Sequence, residues 1–392
     1  MNKKISIGVC ISLIAIACTV TFVITWTVSL NMYNDIIPGA VRRDEISAKL
    51  REIDSFIRNN YLFELNDEEI VFGVYSGYIS GIGDKNTVYM TVEEYAGHAA
   101  QERGKLVSCG IKAEKEESGY ITVAEVYPGS DAELSGVLKG DLITAIEGTD
   151  VLQIGADAAL VLMQGEETTR YSLNIQREGE IIEYSLVRQA LDIISVESEI
   201  TDNNVGVVRI SSFSALSASQ FENALQTFAE SSVRALMLDL RGNSSSFYGS
   251  IPDMVNNLVG ADTIAFTERR GGVRSDFIIT DESNFLPEEM SGLPIVILVD
   301  SGTSGAGELL AAILKSYAGA LLVGENTAGN AFIQQTHPLN DGSAIRVTVA
   351  QIVLASGLDY AETGLAPDYP TDSGINDPQL QKAFEIIETI TR

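Results

Sequence analysis

The sequence predicts a multidomain α/β chain that begins with an apolar, membrane-spanning helix. Three observations carry this. The run from Ile5 to Leu30 contains no charged residue. Apolar residues then recur at three- and four-residue steps through Ile46, Leu50, Ile53 and Ile57, the spacing of one helix face. From Val205 onward, apolar runs of strand length alternate with helix-like stretches, as in a sheet with crossover helices.

The N-terminal run is longer than the ~20 residues that cross a bilayer as a helix. Lys3 and Lys4 lead it, which predicts a single-pass signal anchor over 1–31 with the N-terminus inside; Arg42 and Arg43 on the far side oppose that orientation. The expected location is the cell membrane, with the bulk of the chain extracytoplasmic. A cleaved signal peptide is the alternative, although its apolar region usually spans only about 7–15 residues. Ala15-Ile16-Ala17-Cys18 fits a lipoprotein signal poorly.

At 392 residues the chain can bury several cores. It carries 26 basic and 54 acidic residues, a net charge of −28. Such a surface repels nucleic-acid phosphates and anionic headgroups, so nucleic acid is excluded as a partner. The cysteines are Cys10, Cys18 and Cys109, and the first two lie in the apolar run. No disulfide and no cysteine zinc cluster can form in the remainder. With His98 and His337 the only histidines, a His-based triad or multi-His metal site is excluded by counting. No metal and no cofactor are expected.

Residues 41–104 are expected to be a helical segment that buries the Ile46–Ile57 stripe. Gly81-Ile82-Gly83-Asp84 marks a turn within it. Residues 105–189 change character. Tyr120-Ile121-Thr122-Val123 reads as a strand, Pro128-Gly129 as a turn and Asp131-Ala132-Glu133-Leu134 as the start of a short helix. Gly136 to Ile143 then leads through a Gly140-Asp141 turn to Ile146-Glu147-Gly148. This arrangement resembles a bacterial-type PDZ domain. The resemblance implies binding of C-terminal peptides by strand addition, with the terminal carboxylate on backbone N–H groups near Cys109, Gly110 and Ile111. The flanking helix would lie near Ala156–Leu160. A small β-rich module with no ligand is the alternative.

In residues 190–392, strands are expected at Val205–Ile210, Ala235–Leu240, Pro294–Val299 and Leu321–Gly324, and helices at Phe221–Ala229 and Glu308–Lys315. Five stretches make the order of segments specific. Asp84-Lys85-Asn86-Thr87-Val88-Tyr89-Met90 is similar to D-x-x-[ST]-x-Y-[ML]. Val205 to Phe213 is similar to a first core strand, and Leu238-Asp239-Leu240-Arg241 to a D-L-R strand. Gly364-Leu365-Ala366-Pro367-Asp368 is similar to G-[IL]-x-P-D, and Asp377 to Ala383 to a closing helix. Together they resemble the carboxy-terminal processing, or tail-specific, serine peptidase family. That resemblance implies a PDZ-like domain inserted before an α/β peptidase core with a mixed sheet. It also implies a serine nucleophile, a neutral lysine base, a glutamine one helical turn beyond the lysine, and an oxyanion site of backbone N–H groups.

The chemical positions depart from the family pattern. Where the family reads [ST]-A-S-A-S-E, this chain has Thr303-Ser304-Gly305-Ala306-Gly307-Glu308, so the serine position is Gly305. Against G-E-x-T-x-G-K-x-x-x-Q it has Gly324 to Gln334, so the lysine position is Asn330 and the orienting glutamine is Gln334. The oxyanion region comprises Ser245 and Ser246, in place of two glycines, together with Ala306. Glycine offers no nucleophile, and an asparagine amide does not act as a base near neutral pH. The leading expectation is a pseudopeptidase that binds C-terminal tails of proteins or peptides, with an active peptidase relative as a further candidate partner and the membrane engaged through the N-terminal helix. An active peptidase with a relocated nucleophile, Ser304, is the alternative. It lacks a base, because no lysine lies between Lys315 and Lys382 and His337 precedes Pro338 in a surface-like context. A structural envelope protein is the third reading.

Overall fold

The computed structural model describes residues 8, 16–27, 40–116, 118–165, 167–259, 262–280, 290 and 292–391. It divides into two units, Met1–Tyr75 and Ser76–Arg392. In the first unit, residues 16–27 are helical. A helix of that span rises ~18 Å, against a hydrocarbon core of ~30 Å. No helix among the described residues is long and apolar enough to cross a membrane. The expected transmembrane helix is therefore not supported, and the ends of the Ile5–Leu30 run lie outside the described residues.

Helix α1 (Ala40–Asn60) and the start of α2 (Asp67–Ser80) follow. Arg58 of α1 pairs with Asp54 one turn back and with Asp67 at the head of α2. The Asn66 side chain accepts the Glu68 N–H, capping α2, and Asp67, Glu68 and Glu69 suit its positive end. The apolar stripe of α1 was expected to be buried. Instead Ile46, Leu50, Ile53 and Ile57 are 43%, 40%, 47% and 39% exposed. Periodicity identified the face, but no described residue of this unit covers it.

The second unit begins within α2 at Ser76, and strand β1 (Val88–Met90) then interrupts the helical reading of 41–104. The turn after α2 delivers β1 to the core, where it pairs antiparallel with residues 344–346. Helix α3 (Val92–Arg103) starts on a Thr91/Glu94 capping box and ends at Gly104, whose φ of 71° suits glycine. Strand β2 (Lys105–Ser108) pairs with residues 189–192.

Between those paired segments lies a small sheet module. Its elements are β3 (Ile111–Lys115), β4 (Ile121–Val126), α4 (Asp131–Ser135), β5 (Leu142–Ile146), β6 (Thr149–Asp150), α5 (Val151–Ile154), α6 (Ala156–Met163), β7 (Arg170–Arg177) and β8 (Glu180–Val187). The order is β3-β4-β5-β7-β8, with β6 on β5, which leaves β3 at an edge. Alternate residues Tyr171, Leu173 and Ile175 enter the core, the period-two pattern of a sheet with one covered face. The predicted Gly-Asp turn is fixed by Asp141, which accepts two 2.6 Å bonds from Arg177 and the Leu138 N–H.

Strand β9 (Gln189–Asp192) completes the pairing with β2 and leads into the core. The core continues with β10 (Val196–Ile200), β11 (Val205–Ile210), α7 (Ser217–Glu230), β12 (Ala235–Asp239), α8 (Ile251–Asn256), β13 (Asp262–Arg269), β14 (Val273–Thr280) and β15 (Ile295–Val299). It closes with α9 (Ala306–Tyr317), β16 (Leu321–Gly324), β17 (Phe332–Pro338), β18 (Ala344–Leu354), β19 (Tyr369–Pro370) and α10 (Pro378–Ile390). The main sheet runs β10-β11-β12-β15-β16-β19, parallel except for β10 against β11, and is therefore mixed. Leu236 and Leu238 of β12 join the cluster formed with α7 and α9, whereas Ala235 and Met237 join the cluster formed with α10. Burial on both faces explains why this strand reads as a continuous apolar run. Gly206 is required by close approach: a Cβ there would lie 2.6 Å from the Phe228 ring. A second, antiparallel sheet has the order β1-β18-β13-β14, with β17 on β18.

Candidate active site

The candidate site gathers at the C-terminal ends of β12, β15 and β16, where a parallel sheet leaves loops free to carry chemistry. After β15, Asp300 accepts the Gly242 and Gly302 N–H groups at 2.8 and 3.0 Å, and Thr303 donates its hydroxyl to the Leu240 carbonyl. The loops after β12 and β15 are thus laced together. Glu308, fully buried in the first turn of α9, joins the third loop. Its carboxylate accepts the Gly305 N–H at 3.2 Å, the Gly329 N–H at 2.6 Å, the Asn330 N–H at 2.8 Å and the Thr327 hydroxyl. Glycine 305 and Asn330, the two positions expected to hold nucleophile and base, are held together through this one side chain.

The space at Gly305 is filled. Its φ is 61°, in the region that favours glycine. A Cβ built there would lie 2.5 Å from the Ser245 carbonyl oxygen, closer than side-chain carbons approach oxygen. The same oxygen accepts the Ala306 N–H at 2.9 Å. An amide that the sequence assigned to the oxyanion region is therefore already engaged by the chain itself. The Ser245 hydroxyl donates to the Phe213 carbonyl and accepts the Phe247 N–H, which fixes the turn. Ser246 instead turns its hydroxyl toward Arg346, at 3.5 Å. Tyr248 closes the other side, donating to the Phe332 carbonyl at 3.0 Å. Burial, and then the negative charge of Glu308, push its hydroxyl well above the usual tyrosine range.

At the lysine position the Asn330 side-chain oxygen accepts a 3.1 Å bond from Asn86, in the turn before β1. Gln334 corrects the expectation. It lies on strand β17 rather than one helical turn beyond position 330, and its amide donates to the Phe332 carbonyl of its own strand. The intervening loop is held by Glu308, so the four-residue spacing has no helical meaning. Ser304 is half-buried, and among the described residues no basic side chain hydrogen-bonds its hydroxyl. Lys315 pairs with Asp368 at 2.7 Å, and His337 is exposed on β17.

In the sheet module, Cys109 is buried with its sulfur 2.7 Å from the Tyr171 hydroxyl, and burial pushes its thiol pKa up. The Gly110 φ is 96°, and a Cβ there would overlap Ser130 at 2.0 Å, so only glycine fits. Its N–H donates to the Ser108 hydroxyl at 3.1 Å, a bond that a carboxylate oxygen can replace in kind. Ile111 begins the edge strand β3, and Lys115 at its far end pairs with Asp157 in the first turn of α6.

Two family models match this chain: peptidase family S41 over residues 204–371, and a PDZ domain over residues 122–177. Residues 204–371 thus resemble the S41 peptidases. Its relatives include the carboxy-terminal processing protease CtpA of Bacillus subtilis (strain 168), 28% identical over 81% of this chain and 67% of that one. The carboxyl-terminal-processing protease of Synechocystis sp. (strain ATCC 27184 / PCC 6803 / Kazusa) is 29% identical over 78% of this chain and 71% of that one. Among solved structures, a putative S41 protease from Bacteroides fragilis NCTC 9343 aligns with a TM-score of 0.52 at 20% identity, covering 87% of this chain and 97% of that one. That likeness concerns the fold.

The sequence singled out Gly305 and Asn330 but not Glu308 and Asn86, which hold them in place. Glu308 served only to set the register, although a glutamate within an otherwise apolar helix start was a visible signal of a buried acceptor. Asn86 lies in a motif whose spacing gives no hint of Asn330, 244 positions away.

Proposed function

We propose that this chain is a non-catalytic S41 homologue that binds the C-terminal tails of proteins through its PDZ module. The observation that carries the non-catalytic part is the Ser245 carbonyl oxygen, which lies 2.5 Å from where a side chain at position 305 would begin and takes the Ala306 N–H. Absence of a serine oxygen alone would leave an open pocket. Here the backbone has closed over the space, and the lysine position carries an amide bonded to another amide.

Supporting the binding part, β3 stands at the edge of its sheet with Gly110 just before it. A ligand strand would pair with β3 along α6 and place its carboxylate near the Gly110 N–H. Calorimetric titration of the full chain with an apolar-ended peptide tests this. The expected affinity is on the order of micromolar or weaker, and amidating the peptide's C-terminus should weaken it about tenfold. Equal binding of acid and amide removes the carboxylate from the reading.

A further inference from the structure

A cavity of 350 Å³ lies beside the Ser244–Ser246 turn, lined by neither Gly305 nor Asn330. Helix α3 lines it with His98, Gln101 and Glu102, strand β18 with Arg346, and two loops with Ser211, Ser212 and the turn itself. Polar side chains dominate this lining, in contrast to the apolar core beneath it.

Arg346 and His98 meet edge to edge, with the guanidinium 3.3 Å from His98 Nε2. Arginine only donates, so Nε2 accepts and the ring proton sits on Nδ1. Two N–H groups are then left over. Arg346 Nε and His98 Nδ1 are both buried and have no hydrogen-bond partner. The Glu102 carboxylate stands 3.8 Å from Nδ1, beyond hydrogen-bond reach, and its side chain is 40% exposed at the rim. Buried donors without acceptors are costly in a folded chain, and two of them beside a cavity call for an acceptor from outside.

We infer that this cavity binds a carboxylate, with Arg346 as its charged anchor and the His98 N–H and Ser246 hydroxyl as flanking donors. A planar monoanion matches a guanidinium edge. A phosphate dianion would meet more repulsion from Glu102 and from a chain of net charge −28. The carboxylate can come from a peptide end or from a small free acid. The site stands apart from the PDZ groove and does not depend on tail binding there.

The test uses acetyl-alanine, too short to add a strand to β3, titrated into the full chain by NMR, with its amide, acetate and inorganic phosphate as comparisons. Saturable binding with Kd on the order of 1 mM is expected for the acid, with phosphate weaker and the amide silent. Acetate binding as well as acetyl-alanine would assign the site to small acids, and acetyl-alanine binding more tightly would assign it to peptide ends. Arg346→Gln should weaken the acid about tenfold. Glu102→Gln, on the rim and safe for folding, should tighten it about threefold by removing a like charge. Binding of acid and amide alike, or no saturable binding, overturns the proposal. So does a Glu102→Gln chain with unchanged affinity.

Discussion

The peptidase core and the PDZ module differ in what their backbones do at the position where a ligand would sit. In the core, the Ser245 carbonyl turns inward, fills the space at Gly305 and bonds the Ala306 N–H. In the module, β3 keeps an unpaired edge, and the Gly110 N–H is met only by a serine hydroxyl. Both regions rest on a buried acid that ties loops together, Glu308 in one and Asp141 in the other. The two regions thus share a scaffold device and differ in whether the backbone fills the space beside it.

The largest effect should come from the core's knot. Glu308→Ala leaves the Gly305, Gly329 and Asn330 N–H groups without their acceptor. At roughly 1–3 kcal/mol per buried unmet donor, the core should lose at least ~3 kcal/mol of stability in denaturant unfolding. A loss under ~1 kcal/mol would mean that the loops are held by something else, and the comparison with Asp141 would fail.

Next in size is Gly305→Ser. Positive φ and the Ser245 oxygen both oppose a side chain there, so the change should cost ~1–3 kcal/mol and produce no turnover of a denatured substrate. Adding Asn330→Lys should not restore activity by itself, because the carbonyl still fills the space. Returning Ser245 and Ser246 to glycine in that background, whose freer backbone can rotate this carbonyl away, is the combination that should permit turnover. Full stability of Gly305→Ser would show that the turn moves aside freely.

The smallest effect belongs to the module. Burial raises the Asp141 carboxyl, but the Arg177 bonds outweigh it and hold the group below the usual carboxylate range. A folded-state pKa below the unfolded one contributes stability above the ordinary carboxylate range. That contribution is lost as pH falls through the folded value. Asp141→Asn should therefore lower stability by about 1 kcal/mol near neutral pH, and the gap to wild type should narrow in acid. A gap independent of pH would place the contribution in packing.

Much of this was legible in the sequence. Strands β11, β12, β15 and β16 followed from continuous apolar runs, because both faces of that sheet are covered. Motif register singled out Gly305 and Asn330, and the flanking Glu308, Thr327 and Gly329 are bound to one another. What escaped depends on backbone direction or on missing cover. No residue identity announces that the Ser245 carbonyl points at Gly305. The α1 stripe has helical periodicity whether or not anything packs on it, and its residues are exposed. Spacing suggested a helix between Asn330 and Gln334, where a loop held by Glu308 runs into β17. The N-terminal apolar run met a length criterion that the described helix at 16–27 does not meet.

The most direct measurement is cleavage of an unfolded protein with an apolar C-terminus by the purified chain, compared with its Ser304→Ala variant. Both should show no turnover above the uncatalysed background. Turnover by the wild type that disappears in Ser304→Ala would contradict the account and make Ser304 the nucleophile of a working peptidase.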